Sequence, residues 1–268
     1  MSTQRLVTSN EQFRQQYEHL QAGDVIVGRL RLRKGEEHLL IDLLTRGIHL
    51  IPSATAQLCS RSKVAQARLL GTYMVPGTRT IYDRHDLKEM ISYCGRQGYG
   101  KLVCKLDQGN AGQGILLFHS IEDVLIQTTL GQLAYPFVLQ PLLQQVRDVR
   151  VVVLAHTVIA YQRHNPWNFR HNLSRGGQCR PWSLSTEQRS LCQNIMQRAH
   201  FPYAFIDLLV DRGEQTYLSE INLRGGLRGA PIDQNVYIDA VEQIHATLLQ
   251  AHLNTPARSS KDTSAEKA

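Results

Sequence analysis

A lysine inside an apolar run, followed by a loop dense in glycine, is a combination suited to anions. In this chain the run is Leu102-Val103-Cys104-Lys105-Leu106, and the loop carries Gly109, Gly112 and Gly114. Glycines let backbone N–H groups approach an anion closely, because no Cβ intervenes. A lysine in a buried strand needs an anion nearby or must reach water. A second apolar run, Ile115 to His119, follows the loop. Strand, lysine, glycine loop and strand then read as a hairpin able to cover nucleotide phosphates. The loop is not a Walker A segment, since no Lys-Ser/Thr follows Gly114, and Gly112-x-Gly114 lacks the third glycine of a dinucleotide fingerprint. Taken alone, it also reads as an ordinary turn.

A second set carries oxygen donors: Asp207, Glu220 and Asn222. Glu220 and Asn222 are two apart on an expected strand and share a face. With Arg212 to Gln215 as the turn, Asp207 falls opposite Glu220. Two carboxylates that close repel unless one is protonated or a cation bridges them. Hard oxygen ligands beside phosphates suit Mg²⁺, with Mn²⁺ as the alternative. A third set is cationic: Arg150 and Arg163 on an expected strand pair, then Arg170 and Arg175 in an irregular stretch with His171 and Asn172. Arg150 alternates with valines in a half-buried strand, and Asp148 is its nearest candidate counterion. No Cys–His–acid order and no G-x-S-x-G elbow occurs, which disfavours a covalent hydrolase.

The elements that must hold these residues read as an α+β mixture. Helical character is expected over Glu11–Leu20, Leu39–Arg46, Ser62–Leu70, Asp86–Cys94, Ile121–Leu130, Ser185–Ala199 and Ile232–Leu253. Ser185 and Gln188 make a capping box for the sixth of these. Strands are expected over Asp24–Leu30, Ile48–Ile51, Leu102–Leu106, Ile115–His119, Phe137–Gln140, Val149–Leu154, Val158–Arg163, Phe205–Val210 and Thr216–Asn222. The polar stretch His164 to Arg180 has no period. The tail from residue 254 onward is small, polar and charged, which reads as disorder.

Composition bounds the rest. The chain has 268 residues, 42% apolar and 20% charged, which fits a globular protein with room for a sizeable core. Five scattered cysteines form no C-x-x-C pair, against a disulfide framework or zinc ribbon and in keeping with a reducing cytoplasm. The N-terminus lacks an apolar stretch of signal type, and no apolar run is long enough for a membrane span. The net charge of +7 favours anionic partners, but the basic residues are dispersed, which disfavours nucleic acid.

In order and spacing, residues 60–250 resemble the ATP-grasp superfamily, and within it the RimK-like carboxylate–amine ligases. The resemblance runs through Ser62-Lys63-Val64, Val75-Pro76-x-Thr78, the Lys105 strand and glycine loop, Val138-Leu139-Gln140 and Asp148-Val149-Arg150. It continues in Asn168-Phe169-Arg170-His171-Asn172-Leu173-Ser174-Arg175-Gly176-Gly177, Ile206-Asp207-Leu208, Glu220-Ile221-Asn222 and Gly226-Leu227-x-Gly229. It implies an ATP-grasp domain over 61–253 hinged near 137–143, after a shortened α/β domain over 1–60, with a tail over 254–268.

The same resemblance implies roles. Lys63 and Lys105 would hold ATP phosphates beneath Gly109, Gly112 and Gly114. Gln140 to Leu143 would meet the adenine edge, and since Pro141 has no N–H, the amide donor would be Leu142 or Leu143. Asp148 would sit in the nucleotide pocket. Asp207, Glu220 and Asn222 would ligate magnesium. Arg163 would neutralise the transferring phosphoryl, with Arg150, Arg170 and Asn172 around phosphate and acceptor, and His171 and Arg175 toward substrate. Arg224 departs from the family's pattern, which usually has a small residue and a proline after the asparagine, and puts an extra guanidinium on the substrate side. The reaction implied is ATP-driven joining of a carboxylate to an amine, of an amino acid or acidic peptide, in the cytoplasm. A nucleotide-binding module without turnover and a kinase acting on a hydroxyl use the same phosphate apparatus. A homo-oligomer is compatible with all three.

Overall fold

A computed structural model describes residues 4–107, 114–165 and 177–254. The first sixty residues form a small parallel sheet of three strands, β1 (Leu6–Val7), β2 (Val25–Val27) and β3 (His49–Ile51), in that order. Helices α1 (Asn10–Gln16) and α2 (His38–Thr45) bury Phe13, Leu40 and Leu43 with Val7, Ile26 and Leu50. Ser9 caps α1 by accepting from the Gln12 amide. Beyond α1 the expected helix tightens into a 3-10 turn, Tyr17–His19.

Two short helices lead out of this layer. Helix α3 (Ala54–Cys59) falls between the expected strand ending at Ile51 and the expected helix from Ser62, where no element was expected. Ser53 nevertheless caps it by accepting from the Ala56 amide. Helix α4 (Lys63–Leu70) begins after Ser62, which caps the Ala65 amide and donates to Asp107 at 2.8 Å.

Strand β4 (Arg79–Ile81), β5 (Leu102–Leu106), β6 (Ile115–Phe118) and β7 (Phe137–Pro141) build an antiparallel sheet in the order β4-β7-β5-β6. Helices α5 (Arg84–Gln97) and α6 (Ile121–Thr129) cover it through Leu87, Met90 and Val124. Helix α5 outruns the expected Asp86–Cys94 at both ends. Asp83 caps its start, and Gly98, with φ of +67°, ends it in the left-handed conformation that glycine tolerates.

The second half forms a five-stranded antiparallel sheet in the order β10-β9-β8-β11-β12: β8 (Arg147–Leu154), β9 (Thr157–His164), β10 (Gln178–Pro181), β11 (Tyr203–Val210) and β12 (Thr216–Asn222). Strand β10 is exposed throughout and polar, so no alternation marked it in the sequence. Helices α7 (Thr186–Arg198) and α8 (Gln234–Leu253) pack on this sheet; the Ser185–Gln188 capping box is formed. No described helix is long and apolar enough to cross a membrane.

Helix α4 is tied to β12 by a buried side chain. Gln66 accepts from the Ile221 amide at 3.0 Å, and its amide group donates to Ile221 O at 2.9 Å and Cys59 O at 2.7 Å. This pairing sets where Glu220 and Asn222 lie against Lys63. Gln66→Ala leaves buried backbone groups unpaired, and we expect a loss of about 2–4 kcal/mol in unfolding free energy, read from urea denaturation.

Candidate active site

Register alone brings much of the site together. Asp148 lies opposite Arg163, Asp207 opposite Arg150 on one side, and Asp207 opposite Glu220 on the other. The side chains complete a continuous network. Arg150 grips Asp207 bidentately, Nε to Oδ1 at 2.7 Å and Nη2 to Oδ2 at 2.8 Å. Arg163 donates from Nε to Asp148 Oδ1 at 2.6 Å, and its Nη2 lies 3.0 Å from Asp207 Oδ2. The expected counterion of Arg150 was Asp148. The structure corrects that assignment to Asp207, because the neighbouring strand presents a carboxylate directly across while Asp148 aligns with Arg163.

Arg163 and Asp207 are 5% and 8% exposed, so charge neutralisation here is obligatory rather than decorative. Burial opposes ionisation of Asp207, but the Arg150 and Arg163 charges outweigh it and hold the carboxyl far below the usual range. Burial likewise disfavours charged Arg150, and Asp207 reverses the balance, pushing its pKa up. Asp207 Oδ1 accepts one hydrogen bond in this network, which leaves a lone-pair direction for a further partner.

Lys105 reaches the same place from the other sheet. Its strand β5 pairs with β7, Val103 opposite Gln140. Between β11 and β12 the register slips: Asp207 faces Glu220, but Leu208 faces Leu218. Ser219 is thus the extra residue of a β-bulge. Its carbonyl accepts from Lys105 Nζ at 2.9 Å. Burial lowers the Lys105 pKa to about 8, with Lys63 adding to the fall and Glu220 opposing it. Lys63, buried at the start of α4, places Nζ 3.6 Å from Glu220 Oε1.

Together these groups wall a cavity of ≈ 520 Å³ between the two sheets. Of the expected residues, Lys105, Gln140, Leu142, Leu143, Asp148, Arg163, Asp207 and Glu220 line it. Lys63 and Arg150 join through Glu220 and Asp207. Gly114 sits at the hairpin, its carbonyl accepting from the Leu106 amide at 2.7 Å. Asn222 continues the Glu220 face of β12, whereas Arg224 does not line the cavity. Leu142 cannot be the amide donor to a base, because its N–H is given to Lys101 O at 3.0 Å; Leu143 remains. Gly109, Gly112, Arg170, His171, Asn172 and Arg175, and the tail from 255, lie outside the described residues.

Sequence reasoning missed Ser219, since a bulge leaves no mark in a run of strand-forming residues. It also missed the apolar wall of Val103, Ile115 and Leu209, whose valine, isoleucine and leucine look like any core. Gln140 offers more than its main chain. It is 2% exposed, and among the described residues its side-chain Oε1 has no hydrogen-bond partner. A buried acceptor on a cavity wall suits a ligand N–H. Oxygen donors at Asp207, Glu220 and Asn222 suit a hard divalent cation.

A family model described as the RimK-like ATP-grasp domain matches residues 57–248. A probable alpha-L-glutamate ligase of Cellvibrio japonicus (strain Ueda107) is 29% identical over 193 residues, covering 68% of this chain and 62% of that protein. One from Aeromonas salmonicida (strain A449) is 28% identical, covering 63% and 58%. The chain thus spans about three fifths of these relatives' length. Among solved structures, the D-cycloserine synthetase DcsG superposes with a TM-score of 0.61 at 14% identity, covering 85% of this chain and 84% of that one. The D-alanine-D-alanine ligase from Coxiella burnetii gives 0.59 at 13%, covering 87% and 70%. At these identities the likeness is one of fold.

The buried network predicts unequal costs for its two carboxylates. Asp207→Asn strands two guanidiniums and should lower unfolding free energy by about 3–5 kcal/mol. Asp148→Asn leaves Arg163 beside Asp207 and should cost clearly less; equal losses in thermal or urea unfolding would contradict the network.

Proposed function

The chain belongs to the RimK-like ATP-grasp family, and from that premise we propose that it is an ADP-forming ligase joining a carboxylate to an amine. The observation that carries the reading is the cavity itself. Lys105 of the four-stranded sheet faces Asp207 and Glu220 of the five-stranded sheet across one space, and Lys63 of α4 meets Glu220 beside it. Its volume of ≈ 520 Å³ lies within the range of small-ligand pockets.

ATP would enter with its base against Leu142, Leu143 and the orphaned Gln140 Oε1, which would accept from the exocyclic amine. The Leu143 amide would serve the base edge. Lys105 and Lys63 would take phosphate oxygens. Magnesium, held by Asp207, Glu220 and Asn222, would screen phosphate charge when bound. The substrate carboxylate oxygen would attack the γ-phosphorus and release ADP, giving an acyl phosphate. The amine nitrogen would then attack the acyl carbon, phosphate would leave, and the nitrogen would lose a proton as the amide forms. Arg163, beside the shared carboxylates, would neutralise charge on the phosphoryl in flight. No protein nucleophile is needed: positioning and electrostatics supply the catalysis. The likeness to probable alpha-L-glutamate ligases supports glutamate as one substrate.

Purified protein should release ADP from Mg-ATP when L-glutamate and short acidic peptides are supplied, with an amide product visible by mass spectrometry. Lys105→Ala and Glu220→Gln should each cut kcat/KM by roughly 100-fold or more. A phosphorylated hydroxyl product, or no ATP binding, would refute the assignment. Gln140→Leu removes the orphaned acceptor, so it should raise KM for ATP about tenfold without lowering the melting temperature.

A further inference from the structure

Two arginines near the site differ from those in the buried network. Arg29 follows β2, and Arg224 follows Asn222 by two residues. The residue after Arg29 and the residue before Arg224 are both tied to the same short helix, α3, while the residue before Arg29 is tied to β3. Gly28 donates to Ile51 O at 2.7 Å, and the Leu30 amide donates to Gln57 Oε1 at 2.9 Å, with Gln57 buried in α3. The Leu223 amide donates to Ser60 Oγ at 2.9 Å, where Ser60 is the C-cap of α3. Gln57 and Ser60 are three apart, one helical turn, so they lie on one face and bring Arg29 and Arg224 alongside each other.

Side-chain electrostatics locate the pair independently. Burial lowers the Arg29 pKa, and the next causes are the charges of Arg224, Arg61 and Arg31; no carboxylate acts on it among its main causes. Tyr237 is pushed up to about 12 by burial, and Arg224 and Arg29 both pull against that shift. The surrounding hydroxyls are already committed, Tyr237 to Leu223 O at 3.4 Å and Tyr203 with His245 Nε2 at 3.1 Å. Arg61 is turned to Leu32 O at 2.6 Å and Glu37 at 3.4 Å. Among the described residues, neither the Arg29 nor the Arg224 guanidinium has a hydrogen-bond or ion-pair partner.

The strap that follows Arg224 also touches the buried ion-pair network. Arg150, whose Nε and Nη2 hold Asp207, lies with Nη1 3.4 Å from Gly226 O. Gly225 packs so closely on Phe205 that an added Cβ would come within 2.6 Å of the ring, which fixes the strap between Arg224 and Gly226. An ordinary exposed arginine only solvates a surface. Here a half-buried one is held against like charge with no counterion among the described residues, an arrangement that lowers stability unless an anion completes it.

We propose that Arg29 and Arg224 form a carboxylate-binding subsite, outside the nucleotide cavity, that holds an anionic group of the substrate other than the reacting one. The inference rests on the ligase reading for its place in catalysis, but the subsite can be tested by binding alone. It gives the N-terminal layer a direct part in substrate choice through one side chain. Guanidinium and carboxylate pair in a planar fork, so selectivity over an amide follows from charge and geometry together.

The probe is the dipeptide L-glutamyl-L-glutamate, titrated calorimetrically into the protein saturated with Mg-ADP, beside the same dipeptide with every carboxylate amidated. The acidic dipeptide should bind more tightly than the amide. Arg29→Gln and Arg224→Gln should each weaken it about tenfold to a hundredfold, with little effect on the amide or on Mg-ADP affinity. The double variant should lose less than the product of the two, because both hold one group. Arg189→Gln, on the exposed face of α7, removes the same charge and should change nothing. Where turnover is measured, KM for the acidic substrate should rise more than kcat falls. Arg29→Gln should also leave the melting temperature unchanged or higher, since it relieves repulsion; a structural ion pair would lower it. Unchanged dipeptide binding, an equal loss for the amide, or a fall in melting temperature overturns the subsite. Arginine-dependent binding without any amide product would instead refute the ligase reading and leave the subsite standing.

Discussion

The Asp207 carboxylate between two buried guanidiniums is the constraint around which the second sheet is arranged. A lone arginine at these positions would carry an uncompensated charge in the interior, at a cost far above any single packing contact. Slipping β8 against β11 by one residue would turn Arg150 and Asp207 to opposite faces and strand both. The pairing therefore selects one register among those that valine-rich strands would tolerate. Apolar burial around Val149, Val151, Phe205 and Leu208 supplies the driving force, while the ionic contacts decide the alignment.

The bulge at Ser219 carries that order across to the other sheet. In an unbroken ladder the Ser219 carbonyl would be taken up by β11; displaced, it is available to the Lys105 ammonium. A lysine buried 7% exposed in an otherwise apolar strand is an expensive choice, and burial shows in its depressed pKa near 8. In return the amine is held on a fixed strand, with little side-chain freedom left to lose were a phosphate to bind there. Gln66, bridging α4 to Ile221, and Lys63, facing Glu220, connect the same strand to the helix on its other side.

The chemistry was more legible in the sequence than the architecture that supports it. Lys105 stood out because charge is rare inside apolar runs, and Asp207, Glu220 and Asn222 because a hairpin turn fixes who faces whom. Local capping signals were equally plain at Ser185 and Gln188. Pairings between distant strands were not, which is why Arg150 looked like a partner of Asp148. Sequence proximity favoured residues two apart, yet on a strand such neighbours only share a face, and the contact is made by whichever residue the next strand brings alongside. The exposed strand β10 and the short helix α3 left no hydrophobic period to read. Arg29 was invisible for a related reason: its significance lies in a contact made through Gln57 and Ser60, each unremarkable alone.

Two kinds of cation therefore surround the cleft. Lys63, Arg150 and Arg163 each face a carboxylate of the chain itself, and Lys105 has a carbonyl. On the proposed reading, a nucleotide bound there would exchange internal partners for phosphate oxygens, while a divalent cation would take over the carboxylates those groups release. Such an exchange would be nearly balanced in charge, so it would favour precise placement over raw affinity, as phosphoryl transfer requires. Among the described residues, Arg29 and Arg224 have no internal partner to give up. An anion arriving beside them would make a new pair and remove a repulsion in the same step, so the proposed subsite would concentrate discrimination among substrates where the fold has left its charge unbalanced.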